Sequence, residues 1–196
     1  MWWNMNSERF EAFIDAVLAI IITIIVLEIP LASTGTWSSL FEIKLDFIIY
    51  AISFIVCFSF WNFHQKIFSI VNKIDTKVIW IDGISLLILS FLPYLTMFVA
   101  NNFNSLIPQA LYGLEYIFVT ILTTISGRVL KNIDKGNIAL QIGLDLKIKP
   151  SISLIIIAIG YVIGFVFYPP AIIFACLFSL FFTTPISMLI KRIKNN

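Results

Sequence analysis

Six long apolar stretches, separated by short segments that hold most of the charges and prolines, make up this sequence. A helix needs about 20 mainly apolar residues to cross a bilayer core of roughly 30 Å. The six stretches cover residues 10–31, 47–63, 78–100, 110–127, 151–168 and 171–190. They do not alternate between apolar and polar residues as lipid-facing barrel strands do. The pattern therefore predicts an all-α, polytopic membrane protein with six transmembrane helices.

Prolines lie at the ends of most of these stretches and inside two of them. Four positions bound the stretches: Pro30, Pro108, Pro150 and the pair Pro169 and Pro170. Proline has no backbone N–H and disturbs the helical turn that precedes it. Pro93 and Pro185 fall inside the third and sixth stretches, so we expect local kinks there.

The positive charges predict the orientation. Cytoplasmic loops carry an excess of Lys and Arg. If the six spans alternate in direction, 12 of the 13 Lys and Arg residues fall on one side, and Lys44 falls on the other. We therefore expect both termini to be cytoplasmic, with residues 1–196 forming one six-helix domain in the cell membrane.

Composition excludes other classes of protein. The chain is 60% hydrophobic and 12% charged, whereas a soluble domain is about 25% charged. Its 19 Phe and five Trp exclude a disordered chain. Glu8, Glu11 and Asp15 argue against a signal peptide. The sequence shows no phosphate loop, nucleophile elbow or zinc signature, so we expect no enzyme, cofactor, fixed metal site or nucleic-acid partner. Two cysteines lie within apolar stretches and are expected to serve packing: Cys57 and Cys176.

Three ionisable residues fall in one layer near the cytoplasmic face if this topology holds: Asp15, His64 and Asp82. Ionisable groups inside a membrane usually have a partner or line a water-filled cavity. Two interpretations stay open. In the first, the layer is a proton relay or an ion entrance. In the second, it is a buried cluster of polar residues that joins three helices, with His64 adding pH sensitivity.

One face of the first span carries a stripe with helical spacing: Ala16, Ile20, Thr23, Ile24 and Leu27. In an oligomer this face could line a pore, with apolar rings as constrictions and a Thr ring offering oxygens to an ion. The alternative is an ordinary packing face, in which Thr23 bonds its own backbone. Elsewhere, the spacing of Gly160 and Gly164 is a motif for close helix packing. Glu28 and Glu115 are charged residues at the end of the first apolar stretch and within the fourth. Segment 128–149 is expected either to lie on the membrane surface or to extend a helix.

Two stretches of the first half resemble the transmembrane-protein-175 family of potassium channels. Arg9, Phe13 and Asp15 match the family's signature of Arg, three residues and Phe-Ser-Asp, which opens a helix ending Val-Leu-Glu-Ile. Trp61 and His64 match its Trp-x-x-His segment, and residues 90–93 match the Ser-Phe-Leu-Pro run of its third helix. The second half matches in span count only.

The resemblance implies a homotetramer of six-helix subunits in which the first helix of each lines a central pore. Bulky apolar rings and a threonine layer govern potassium conduction in place of a carbonyl filter. By position, Ile20, Thr23 and Leu27 fall on the pore face and Ile24 adjoins it, with potassium passing transiently near Thr23. Arg9, Phe13 and Asp15 belong to the signature, and Trp61 and His64 are its packing partners on the second helix.

This chain departs from the family pattern at three positions. Ile14 replaces the signature Ser, Asp82 stands where Asn is usual, and Lys66 stands where Arg is usual. The resemblance implies a homotetrameric potassium channel in the lipid bilayer. Its alternatives are a proton-coupled transporter that uses Asp15, His64 and Asp82, and a non-conducting scaffold.

Overall fold

The computed structural model describes residues 7–71, 74–147 and 150–180, and every regular element in these segments is an α-helix. In chain order the helices are α1 (Ser7–Leu27), α2 (Trp37–Glu42), α3 (Lys44–Phe68), α4 (Thr76–Leu89), α5 (Leu92–Asn101), α6 (Leu106–Ile133), α7 (Ile138–Lys147), α8 (Pro150–Val166) and α9 (Ala171–Leu180). The predicted all-helical class is confirmed for this part of the chain.

Four stretches among the described residues are long and apolar enough to cross a membrane. They are α1, α3, α6 and the stretch Thr76–Asn101, which contains α4 and α5. Helices α8 and α9 are also apolar but shorter, and they occupy the predicted fifth span and the start of the sixth. Residues 181–190 of the sixth span, with Pro185, lie outside the described residues.

Proline explains where two of the long helices end or break. Helix α1 ends at Leu27, shortly before Pro30, because the residue before a proline disfavours helical geometry. Ser90 and Phe91 separate α4 from α5, and Pro93 lies in the first turn of α5, where its missing N–H is tolerated. The kink predicted at Pro93 is confirmed.

The predicted bounds of the fourth span are wrong at both ends. Helix α6 begins at Leu106, before Pro108, because a proline is compatible with the first helical turn. It continues past residue 127 to Ile133, so the first part of segment 128–149 extends this helix.

The rest of that segment forms α7, which packs on α6 and α3. Leu140 and Leu144 are fully buried. Gln141 Nε2 donates to the Lys131 carbonyl at 2.9 Å, and Asn137 Nδ2 donates to the Ile70 carbonyl at 2.6 Å. The short helix α7 is therefore part of the packed fold.

Helix α6 is central to the fold, and α1 is peripheral. Helix α6 packs against α4, α5, α7 and α8, whereas α1 packs against α3, α4 and α5. Glycines allow the closest approach: a methyl group at Gly160 would overlap the Ala175 side chain on α9, and one at Gly164 would lie 2.7 Å from Ile172 Cγ1. The predicted close contact at these two glycines is confirmed. Gly113 on α6, which the pattern did not reveal, also packs closely on Ile172.

Candidate pore-lining face and polar clusters

The outward side of α1 carries the stripe identified in the sequence. Ile20 is 57% exposed and Leu27 is 80% exposed, and Thr23 and Ile24 are exposed beside them. The opposite side of α1 is buried in the subunit through Phe10, Ile14, Leu18, Ile21 and Ile25. Helix α1 thus has one apolar face that packs within the subunit and one that the subunit leaves uncovered.

Thr23 supplies the hydroxyl on this uncovered face. Its Oγ1 donates to the Ile20 carbonyl at 2.8 Å. The hydroxyl hydrogen is therefore used within α1, but a hydroxyl oxygen also has two lone pairs that can accept hydrogen bonds or contact a cation. The bond to the backbone is thus compatible with an acceptor role for Thr23.

The residues of the N-terminal signature divide between the two sides of α1. Arg9 and Phe13 are exposed. Phe10 is buried, and its ring lies edge-on to that of Phe68 on α3, with centroids 5.8 Å apart. Ile14 is also buried, so the signature serine is replaced here by an apolar core residue.

Four residues on α1, α3 and α4 form what we call the carboxylate cluster: Asp15, Trp61, His64 and Asp82. Trp61 Nε1 donates to Asp15 Oδ1 at 2.8 Å. His64 Nε2 lies 3.5 Å from Asp82 Oδ1, and both side chains are buried. The predicted layer is therefore two pairs, one joining α1 to α3 and the other joining α3 to α4.

A second set of polar residues, the hydroxyl cluster, was not found from the sequence. Its members are Ser53, Thr96, Tyr112, Tyr116 and Ser179. Thr96 donates to the Ser53 hydroxyl at 2.8 Å, the Ser53 and Tyr112 hydroxyls are 3.1 Å apart, and those of Tyr116 and Ser179 are 2.8 Å apart. These bonds join α5 to α3, α3 to α6 and α6 to α9. The available signal was the i, i+3, i+4 spacing of Tyr112, Glu115 and Tyr116 on α6.

Glu115, a polar outlier in the sequence, is buried beside the hydroxyl cluster on α6. Its Oε1 has no hydrogen-bond partner among the described residues. The other outlier, Glu28, is exposed just after the end of α1.

Comparison with known proteins gives matches over part of the chain and over nearly all of it. A family model described as the endosomal/lysosomal potassium channel TMEM175 matches residues 9–93. Over 193 residues the chain is 35% identical to a protein of Chryseobacterium sp. (strain P1-3) named as a potassium channel, with 98% of this chain and all of that protein covered. The chain belongs to the TMEM175 family. This is a family of membrane channels, which is not a class of enzymes.

Other TMEM175 relatives extend the similarity. A protein of Chamaesiphon minutus, also named as a potassium channel, is 32% identical over 102 residues, or 49% of this chain and 50% of that protein. The crystal structure of a lysosomal potassium-selective channel TMEM175 homologue from Chamaesiphon minutus has the same fold, with a TM-score of 0.74 and 22% identity. It covers 92% of this chain and 97% of that one, so the likeness reaches well beyond the first half.

Proposed function

We propose that the chain is one subunit of a homotetrameric potassium channel in which four copies of α1 surround the ion path. The names of the Chryseobacterium and Chamaesiphon relatives support potassium as the permeant ion. The uncovered face of α1 carries the pore assignment, because Ile20, Thr23, Ile24 and Leu27 all lie on it. Among the four long spans α1 is also the least buried, which leaves it available to other copies.

Conduction through such a pore would be passive. Rings of Ile20 and Leu27 from four subunits would form narrow apolar constrictions, where an ion must give up part of its hydration shell. Thr23 lies between them along α1, and its hydroxyl oxygens would replace some of the lost water ligands. No resident cofactor is needed, since potassium binds only in passing.

We place the channel in the cytoplasmic membrane as a single domain with six spans and both termini inside. Helices α8 and α9 would supply the fifth and sixth spans. The distribution of Lys and Arg along the sequence supports the orientation. A native mass measurement in detergent tests the tetramer: a mass of four chains is expected, and a stable monomer or dimer would contradict it.

Potassium flux into liposomes containing the purified protein tests the pore assignment. Leu27→Ala and Ile20→Ala should raise conductance or reduce selectivity for potassium over sodium, because each widens a constriction. Leu87→Ala on α4 and Ile159→Ala on α8 are matched controls, since these side chains are 63% and 54% exposed on other helices. Currents and reversal potentials that stay unchanged in both α1 variants would show that this helix does not line the path.

The same assay distinguishes the channel from a proton-coupled transporter. A transporter that uses Asp15, His64 and Asp82 would show saturable, proton-driven flux, and Asp82→Asn would abolish it. The channel predicts linear electrodiffusion and an Asp82→Asn variant that still conducts. A scaffold would show no flux.

A further inference from the structure

We propose that a groove between the start of α4 and the last turns of α6 binds the headgroup and upper acyl chain of a phosphatidylethanolamine molecule from the cytoplasmic leaflet. The groove has a volume of about 540 Å³ and is lined by Asp75, Thr76, Lys77, Trp80, Ile81 and Val129. The site depends on the proposed membrane topology, in which α4 begins at the cytoplasmic side, and not on ion conduction.

The side chains that line the groove follow the order of the parts of a phospholipid. The apolar stretch that crosses the membrane begins at Thr76, so Thr76 and Lys77 lie at the membrane surface. Trp80 is four residues farther along, or about 6 Å at 1.5 Å per residue. Tryptophan is enriched at this depth, between the headgroups and the acyl chains. Ile81 and Val129 then provide an apolar wall for a chain.

Asp75 and Lys77 place opposite charges on this groove without neutralising each other. Residues two apart at a helix start point in different directions, and neither side chain forms an ion pair within the part of the chain that the structure describes. Asp75 is the residue before the first turn of α4, where a carboxylate usually accepts a backbone hydrogen bond. Its side chain makes no such bond here. The groove therefore presents both a carboxylate and an ammonium group to a ligand.

This pair of charges selects the headgroup. Phosphatidylethanolamine carries a phosphate next to a primary ammonium, so Lys77 can donate to the phosphate while the ammonium donates to Asp75. Both are charge-assisted hydrogen bonds, which are the stronger kind. Phosphatidylglycerol has no cation for Asp75, and the quaternary ammonium of phosphatidylcholine has no N–H to donate.

The apolar part of the groove indicates a lipid and not a soluble anion. Trp80 is 70% exposed, and Ile81 and Val129 are partly exposed beside it. An inorganic phosphate ion would contact Lys77 but would leave these three side chains uncovered. An acyl chain covers them and removes their apolar surface from water.

Native mass spectrometry of the full-length protein in detergent tests the headgroup, with the dioleoyl forms of phosphatidylethanolamine, phosphatidylcholine and phosphatidylglycerol added at equal concentrations. The wild type should retain phosphatidylethanolamine several-fold more than either of the others. Because a ligand that binds the folded state stabilises it, phosphatidylethanolamine should also raise Tm in detergent more than the other two lipids do.

Two variants separate the two charges. Lys77→Gln should reduce the retention of all three lipids several-fold, because each of them carries the phosphate. Asp75→Asn removes the partner of the ammonium, so retention of phosphatidylethanolamine should fall to that of phosphatidylcholine. Retention of phosphatidylglycerol should rise several-fold in the same variant, since its anionic headgroup no longer meets a carboxylate.

Lys44→Gln and Asp46→Asn are matched controls. These residues are also a lysine and an aspartate two apart, in the first turn of α3, and they do not line the groove. Both variants should keep the wild-type pattern of lipid retention.

Three results would overturn the lipid site. The first is equal retention of the three lipids by the wild type. The second is a preference of the wild type for phosphatidylglycerol, which would mean that Lys77 and the exposed Arg128 outweigh Asp75. The third is a Lys77→Gln protein with fewer chains than the wild type, since the groove would then be a contact between copies. A wild type that binds phosphatidylethanolamine as expected but passes no potassium would refute the channel and support the lipid site.

Discussion

The carboxylate cluster and the hydroxyl cluster both join helices through buried polar groups, but by different chemistry. The carboxylate cluster connects α1, α3 and α4 through Asp15 with Trp61 and through His64 with Asp82. The hydroxyl cluster connects α3, α5, α6 and α9 through neutral groups that bond one another. Only the first contains carboxyl and imidazole groups.

The two clusters stabilise different parts of the subunit. Neutral hydroxyl bonds hold α6 on α3 and α9, and close glycine contacts hold α8 and α6 on α9. The helix that we propose lines the pore is attached through its buried apolar side and through the hydrogen bond from Trp61 to the Asp15 carboxylate. We call the second half of the chain the support, and the junction of α1 with α3 and α4 the adjustable junction. Three substitutions test this comparison.

The largest effect is expected from Gly160→Ala, in the support. The new methyl group would overlap the Ala175 Cβ, which is attached rigidly to the backbone of α9. Helices α8 and α9 must move apart, and overpacking of this kind costs about 1–3 kcal/mol. Thermal unfolding in detergent, followed by circular dichroism, should show a clear fall in Tm.

Gly83→Ala is the matched control for that substitution. No heavy atom lies within 4 Å of a Cβ built at Gly83. Alanine also favours a helix over glycine by up to about 1 kcal/mol, so Tm should stay or rise slightly. An equal fall in both variants would show that the loss of stability does not arise from the α8–α9 contact, since helix propensity alone would raise Tm.

A smaller effect is expected from Trp61→Phe, at the adjustable junction. Phenylalanine keeps most of the ring but removes the indole N–H that binds Asp15. A hydrogen bond to a charged group contributes about 1.5–3 kcal/mol, and partial exposure of Asp15 reduces this to about 1–2 kcal/mol. Hydrogen exchange at the start of α1 should accelerate. Trp80→Phe, at an exposed tryptophan of α4, is the control and should change neither the stability nor the hydrogen-exchange rate of α1. If hydrogen exchange of α1 in Trp61→Phe stays as slow as in the wild type, the bond to Asp15 does not hold α1 in place.

The adjustable junction could be predicted more readily than the support, because the sequence patterns that indicate it are local. The face of α1 follows from helical spacing within one stretch, and the layer of Asp15, His64 and Asp82 follows from span direction. The partner of Asp15 could not be predicted. Whether Trp61 or His64 meets Asp15 depends on the rotation of α3 about its axis, which is set by packing against other helices.

The hydroxyl cluster could not be predicted from the sequence for a related reason. Ser53, Thr96 and Tyr112 are far apart in the sequence, and single hydroxyl residues are common in membrane helices, where they usually bond their own backbone. Their significance lies in three helices meeting at one point. The start of α6 also differs from the prediction. A proline in the first helical turn costs little, so Pro108 lies inside α6 and does not mark where the helix begins.

The smallest effect is expected from Tyr112→Phe, within the hydroxyl cluster. Tyr112 is fully buried, and phenylalanine fills nearly the same volume, so only the bond to Ser53 is lost. Ser53 keeps its bond from Thr96, so the expected loss is about 0.5–1.5 kcal/mol. Because the lost bond joins two neutral hydroxyl groups, the fall in Tm should be equal at about pH 5 and pH 8, and potassium flux should match the wild type. Tyr94→Phe, at an exposed tyrosine of α5, is the control and should leave Tm unchanged. A loss of stability that varies with pH in Tyr112→Phe would mean that an ionisable group interacts with the hydroxyl cluster, and the contrast between the two clusters would then fail.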